Sequence, residues 1–142
     1  MIEVRVSGRI GAPAACVWAV IGDFNGLAKW VPGIRASSQD GSGVGAVRHL
    51  DISARGGQWV TERLESFDSG AYSLSYCIVD GSLPLKNYLS TMRLADGADG
   101  RSCTLDWRAR FEAKDATDED AERFVRRAYE AGLDSLRTTF GD

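Results

Sequence analysis

Six strand-like segments follow one another with only turn residues between them, and this run constrains the fold more than any other feature. They lie at 34–40, 45–53, 58–68, 71–80, 87–96 and 102–113. The intervening turns are rich in Gly and Asp and too short to hold a helix, so consecutive strands are predicted to form antiparallel hairpins. The pattern argues against βαβ crossovers and a parallel sheet.

The elements on either side complete an α+β layout. Residues 2–10 alternate apolar and polar side chains, which predicts a first strand with one buried face. Two short helical segments follow, the first starting at Pro13 and ending at Gly22. Thr117 is a natural N-cap for a long helix that runs to about Phe140. We therefore predict a seven-stranded, curved antiparallel sheet wrapped around one long C-terminal helix, with two short helices after the first strand.

Composition limits the class of protein. The 142 residues make one domain, 1–142, with 44% hydrophobic residues and a net charge of −3. A mildly acidic chain with no basic run argues against nucleic acid or an anionic membrane surface as the partner. No apolar run approaches the roughly 18 residues of a membrane span.

The potential metal ligands and thiols are sparse. Three scattered cysteines and one histidine offer no disulfide framework, metal site or metal-ligand spacing. We expect a cytoplasmic protein, monomeric or weakly dimeric, with no cofactor.

The long helix is predicted to face the sheet with a stripe of mostly small side chains at spacings of three and four. Its members are Phe124, Ala128, Ala131, Gly132, Ser135 and Thr139. Small residues fit close packing of the helix backbone onto the sheet, or they leave room for a ligand. We favour the second interpretation because pockets often lie where the mouth of a sheet meets a helix.

Two charged side chains fall on the inward face of the predicted strands. The parity of 45–53 places Arg48 among apolar neighbours, and that of 58–68 does the same for Glu62. Because a buried charge is costly unless paired, we expect the two to form an ion pair, with Tyr88 and Ser90 as hydroxyl partners. The alternatives are a structural ion pair without a ligand role, or a β-bulge that turns one side chain outward.

Three segments resemble a known family: VWAVIGDFNGLAKWVPGI (17–34), VGAVRHLDI (44–52) and VTERLESFDSGAYSLSYCIVDGSLPLKNYLSTMRL (60–94). They resemble the helix-grip fold of the START and birch-pollen-allergen superfamily (SRPBCC), most closely the bacterial polyketide cyclase/dehydrase branch. They are also similar to plant abscisic-acid receptors. The resemblance implies a cavity between sheet and C-terminal helix that binds hydrophobic or amphipathic small molecules.

The resemblance also implies roles for individual residues. Glu62 matches a polar cavity residue that contacts ligand through water, Tyr88 and Ser90 match cavity hydroxyls, and Arg48 matches an arginine in the strand before a gate loop. The predicted ligand-binding residues are Leu50, Val60, Glu62, Leu64, Tyr76, Ile78, Leu83, Pro84, Tyr88, Ser90, Met92, Trp107, Phe124, Ala128 and Gly132.

The loops depart from the receptor pattern. The gate corresponds to residues 53–58 and the latch to 81–86. The receptors' ligand-binding lysine aligns with Val31, the gate motif reads Ser-Ala-Arg-Gly-Gly, and the latch reads Leu83-Pro84-Leu85. Abscisic acid and a phosphatase partner are therefore not expected.

Three functions follow from these patterns. The first is binding or carriage of a lipid, polyketide or aromatic metabolite. The second is a cofactor-independent cyclase/dehydratase with Glu62 as general base, Tyr88 as donor and Arg48 as their third catalytic partner. The third is a protein-interaction module that exposes apolar side chains of the latch.

Overall fold

A computed structural model describes residues 1–52 and 57–142. Its elements in chain order are β1 (Ile2–Ile10), α1 (Ala14–Ile21), a 3₁₀ helix (Phe24–Lys29), β2 (Ile34–Asp40), β3 (Val47–Ile52), β4 (Gln58–Asp68), β5 (Ser73–Gly81), β6 (Leu85–Asp96), β7 (Cys103–Ala113) and α2 (Asp118–Phe140). Most of the predicted gate, residues 53–56, lies outside the described residues.

The seven strands form one antiparallel sheet in the order β1-β7-β6-β5-β4-β3-β2. The strands from β2 to β7 pair as consecutive hairpins, as the short turns predicted, and β1 pairs with β7 at the far edge. The predicted helix-grip architecture is confirmed. Several predicted ends of strands are wrong by one or two residues. For example, β3 and β5 each begin two residues later than expected.

Period-two alternation sets the buried face of the sheet. On β7, five alternate side chains from Cys103 to Phe111 are buried, while the residues between them face outward. Burial of each large apolar side chain contributes about 1.5–3 kcal/mol. The core therefore lies between the concave face of the sheet and α2.

A bulge at the start of β6 changes the parity of that strand. The register shifts between Lys86 and Leu89, and Asn87 adopts a left-handed backbone conformation with φ of 53°. Leu85 and Tyr88 consequently both point inward although they are three residues apart. The predicted start of this strand at residue 87 misses Leu85.

The predicted cap of α2 is confirmed, but its predicted face is wrong. Thr117 Oγ1 accepts a hydrogen bond of 3.1 Å from the Asp120 N–H. Thr139 is exposed, and the other predicted residues except Gly132 are only half-buried. The buried face of α2 consists of Ala121, Val125, Tyr129, Gly132, Leu133 and Leu136.

Gly132 allows close packing rather than leaving space. A Cβ at this position would lie 2.7 Å from Trp107 Cζ3 and 3.1 Å from Trp30 Cζ3. The interpretation that this glycine leaves room for a ligand is therefore wrong, and close packing of the helix onto the indole rings is right.

Side chains of α2 cover the open edge of β1. Arg126 Nη1 donates to the Arg5 carbonyl at 3.4 Å, and Arg137 Nε donates to the Arg9 carbonyl at 2.9 Å. These bonds satisfy edge carbonyls that would otherwise face water or another strand. Among the helices described, none is long and apolar enough to span a membrane.

Candidate functional site

A cavity of about 90 Å³ lies between the concave sheet and α2. Its walls come from the 3₁₀ helix and the segment after it, from β2 to β7, and from α2. The cavity therefore does not lie at Gly132, where it was expected. It lies closer to the start of α2.

Glu62 and nine other predicted ligand-binding residues border this cavity. The nine have apolar or phenolic side chains. They are Leu50, Val60, Tyr76, Ile78, Leu83, Tyr88, Trp107, Phe124 and Ala128. The other predicted residues do not border it. Leu64, Ser90 and Met92 are enclosed in the packed core, Gly132 is covered by the two indoles, and Pro84 lies half-buried in the turn before β6.

Seven further residues border the cavity and were missed from the sequence: Leu27, Val31, Ile34, Ile52, Leu85, Val125 and Tyr129. Ile52 shares the inward parity of Leu50, and that signal was available. Val125 and Tyr129 were missed because the helix was assigned the wrong face. Leu27 and Val31 depend on how the 3₁₀ helix packs against the sheet, which no local pattern reports.

The predicted ion pair between Arg48 and Glu62 is confirmed. Arg48 Nε donates to Glu62 Oε1 at 2.8 Å, and Nη2 lies 2.7 Å from the same oxygen without hydrogen-bond geometry. The side chains are 3% and 8% exposed, so the alternative of a bulge that turns one of them outward is wrong. Cross-strand pairing of β3 with β4 places the two residues opposite each other.

Arg48 is held on the side of Glu62 away from the cavity. Its Nη1 donates to the Phe24 carbonyl at 2.7 Å, and its guanidinium lies 4.0 Å from the Phe24 ring centre and 4.7 Å from that of Tyr76. Arg48 does not border the cavity, whereas Glu62 does. Any effect of Arg48 on a ligand therefore acts through Glu62 or Tyr76, which both border the cavity.

Burial raises the pKa of the Glu62 carboxyl above its usual value, and the Arg48 charge and hydrogen bond counteract part of that effect. An acid with these properties, facing an apolar space, can accept a proton from a bound molecule or orient it. Its position is fixed by β4 on one side and the guanidinium on the other.

The hydroxyls expected beside the ion pair form a separate cluster instead. Tyr88 and Tyr129 share a hydrogen bond between their hydroxyls, and Ser90 Oγ lies 2.6 Å from Tyr129 Oη. Trp107 Nε1 donates to Ser90 Oγ at 3.1 Å and to Tyr76 Oη at 3.3 Å. The expectation that Tyr88 and Ser90 are partners of the ion pair is therefore wrong, because both bond to the Tyr129 hydroxyl instead.

Burial raises the pKa values of Tyr88 and Tyr129 well above the usual phenol value, and it raises that of Tyr76 as well. All three phenols therefore keep their protons at neutral pH and remain hydrogen-bond donors. The Trp107 ring stacks on Tyr129 with 4.0 Å between ring centres, which fixes the cluster against α2.

The latch turns inward. Leu83 and Leu85 are buried and border the cavity, so the predicted exposed apolar patch is absent from this turn. The protein-interaction function depended on this exposed patch, so the structure does not support it.

The three cysteines do not border the cavity. Cys16, Cys77 and Cys103 are free thiols. Within residues 1–52 and 57–142, no three His, Cys, Asp or Glu side chains come together in a way that could hold a metal ion.

Known proteins resemble this chain in sequence and in fold. A sequence family described as polyketide cyclase / dehydrase and lipid transport matches residues 1–141. The abscisic acid receptor PYL10 of Arabidopsis thaliana is 36% identical over 100 residues, which cover 68% of this chain and 55% of the receptor. The aligned chain therefore spans little more than half of that relative.

Solved structures match nearly the full length of the chain. The protein XoxI from Bacillus cereus is 32% identical with a TM-score of 0.92, covering 100% of this chain and 97% of its own. The Zhui aromatase/cyclase from Streptomyces sp. R1128 shares the fold alone, at 20% identity and a TM-score of 0.78, covering 95% and 90% of the two chains. The match to residues 1–141, together with the helix-grip fold, shows that the chain belongs to the polyketide cyclase/dehydrase and lipid transport family.

Proposed function

We propose that this protein binds a small hydrophobic or amphipathic molecule, such as a lipid, polyketide or aromatic metabolite, in the cavity between the sheet and α2. The observation that carries the proposal is an internal space with mostly apolar walls and one buried carboxyl group, Glu62. A solid core would leave no such space. The family and the receptor relatives support the same class of ligand.

Affinity would come from removal of apolar ligand surface from water, at about 25 cal/mol per Å² before the entropic costs of binding. The cavity is small as it stands, at about 90 Å³. Ile78 and Ala128 border the cavity and are only half-buried, so a longer ligand would extend past them toward solvent.

The test compares two alanines on α2. Ala128 borders the cavity, whereas Ala131 does not. Replacing Ala128 with leucine is expected to fill the space and abolish binding of benzene, followed by NMR of the Trp107 indole N–H. Ala131→Leu is the matched control and should leave benzene binding intact. Equal binding by both variants would place the site elsewhere, and native mass spectrometry of the purified protein would show any co-purifying natural ligand.

The second candidate is a cofactor-independent cyclase/dehydratase. Glu62 would remove a proton next to a carbonyl, and Tyr88 would donate to the developing enolate oxygen, while Arg48 positions Glu62. The raised pKa of Glu62 and the protonated phenol of Tyr88 at the same cavity favour this chemistry.

Glu62→Gln separates the two candidates. If the protein is an enzyme, this variant should abolish turnover of a poly-β-ketone, followed by the absorbance of the aromatic product, while binding survives. No turnover by the wild-type protein would remove the enzymatic candidate. Cytoplasmic location and a monomeric or weakly dimeric state remain predictions from the sequence.

A further inference from the structure

A groove of about 650 Å³ lies on the outer face of the sheet, on the side away from the cavity. Four arginines line it, although the chain as a whole has a net charge of −3. They are Arg5 on β1, Arg108 and Arg110 on β7, and Arg126 on α2. The sequence contains no basic run at these positions, because the antiparallel pairing of β1 with β7 is what brings the first three together.

The register places like charges side by side in this groove. Arg5 lies directly opposite Arg108, and such a cross-strand pair is destabilising. Asp106 compensates for Arg5, because its carboxylate accepts hydrogen bonds of 2.9 and 3.0 Å from Nε and Nη2 of that guanidinium. The same carboxylate lies 4.0 Å from Arg108 Nη2, which is too far for a hydrogen bond. The donors of Arg108 are therefore left for another acceptor.

Arg110 has no partner for its side chain among residues 1–52 and 57–142. Glu3 lies opposite it on β1, and is the one acid that lines the groove, yet the two side chains form no ion pair. A guanidinium carries five N–H donors and no acceptor. Arg110 therefore presents all of its donors to the groove.

Arg126 adds a fourth guanidinium from α2 at the open edge of β1. Its Nε donates to Glu122 Oε1 at 2.5 Å, and its Nη1 donates to the Arg5 carbonyl at 3.4 Å. These bonds hold the side chain in place and use part of its donors. Arg126 and Arg5 are thus committed to carboxylates of this chain, whereas Arg108 and Arg110 remain for a ligand.

We propose that the groove binds the phosphate group of a small soluble molecule, with Arg108 and Arg110 as its main donors. Alternate side chains of a strand are about 7 Å apart on one face, so both guanidiniums can reach the same phosphate or diphosphate. The planar fork of arginine donates two parallel hydrogen bonds to phosphate oxygens. The volume of the groove falls within the range of small-molecule sites, about 300–1,000 Å³.

The surroundings of the groove favour a dissolved ligand over a membrane surface. Leu89 of β6 lines the groove but is only half-buried within the sheet, and none of the large exposed apolar side chains of the described residues lines it. A membrane-binding surface needs apolar side chains that enter the lipid as well as cations. The inference goes beyond the proposed function, because the groove and the cavity lie on opposite faces of the sheet.

The test uses inorganic pyrophosphate, titrated into the wild-type protein at neutral pH and low salt and followed by NMR of the arginine Nε–H signals. We expect saturable shifts for Arg108 and Arg110. Arg108→Gln and Arg110→Gln should each raise the Kd by about tenfold, because each removes a charged donor from the phosphate. Both side chains are exposed, so these variants should keep the fold.

Arg101→Gln is the matched control. Arg101 is an exposed arginine in the turn before β7 and does not line the groove, so this variant should leave the Kd unchanged. Shifts that do not saturate, or equal weakening in Arg101→Gln, would overturn the inference, because they would show only a general response to ionic strength.

A second arm separates a soluble phosphate from a lipid headgroup. Sedimentation with phosphatidylcholine vesicles that contain phosphatidate, without any binding of pyrophosphate, would also overturn the inference. Binding of benzene by the same samples reports on the cavity, so failure of the phosphate site and failure of the proposed function are read separately.

Discussion

Breaking the buried ion pair from one side should destabilise the protein more than removing it completely. Arg48→Met leaves the Glu62 carboxylate, whose side chain is 8% exposed, without a counter-charge. Stranding a buried charge in this way costs about 3–5 kcal/mol of unfolding free energy. The same variant also removes the donor to the Phe24 carbonyl.

The double variant Arg48→Met with Glu62→Leu removes the stranded charge. Its remaining loss is that of the unsatisfied Phe24 carbonyl, about 1–3 kcal/mol. Because both proteins lose the donor to the Phe24 carbonyl, the double variant is expected to be more stable than Arg48→Met alone by the cost of the stranded charge, about 3–5 kcal/mol.

The assay is urea denaturation followed by tryptophan fluorescence, with the Glu62→Leu single variant completing a double-mutant cycle. Equal slopes against urea would show that all four proteins unfold in the same way. The reasoning fails if Arg48→Met costs less than about 1 kcal/mol, or if the losses of the two single variants simply add in the double variant.

Three further predictions concern other parts of the fold. Gly132→Ala gains about 1 kcal/mol of helix propensity but loses about 1–3 kcal/mol through overlap with Trp107, so thermal unfolding should show a net loss of stability. Thr117→Ala removes the cap of α2 and should cost about 1 kcal/mol in urea denaturation. Because Tyr88 keeps its proton in the folded protein above the usual phenol pKa of 10.0, its contribution to stability is present below that pH and is lost as the pH rises above it. Tyr88→Phe should therefore flatten the alkaline fall in stability, measured by urea denaturation at a series of pH values.

Matched variants control these three measurements. Ala131→Gly, on the half-buried side of α2, should lose about 1 kcal/mol from helix propensity alone. Thr117→Ser keeps the capping oxygen and should retain most of the stability. Tyr72→Phe removes a phenol outside the cluster, and an equal flattening there would contradict the role given to Tyr88.

Alternation along the strands was enough to predict the inward charges. Arg48 and Glu62 each sit between apolar residues at period two, and a side chain cannot change face without a bulge. β6 shows the limit of this reasoning, because its bulge at Asn87 places Leu85 on the cavity side. The left-handed conformation of Asn87 could not be predicted from the alternation of apolar and polar residues along the strand.

The face of α2 was harder to predict because small and large residues are interleaved along it. Spacings of three and four fit both the stripe through Ala128 and the buried one through Tyr129 and Leu133. The choice depends on Trp107 of β7, whose ring stacks on Tyr129. That information is held in other strands and helices, so the hydroxyl cluster around Tyr129 could not be predicted from the helix alone.

The pairing of β1 with β7 also has a consequence during synthesis. Arg5 on β1 bonds to Asp106 on β7, 101 residues further along the chain. On the ribosome, the first strand made must wait for the last strand of the sheet, and α2 can cover its edge only later still. β1 of a nascent chain therefore has no strand to pair with until β7 has left the ribosome.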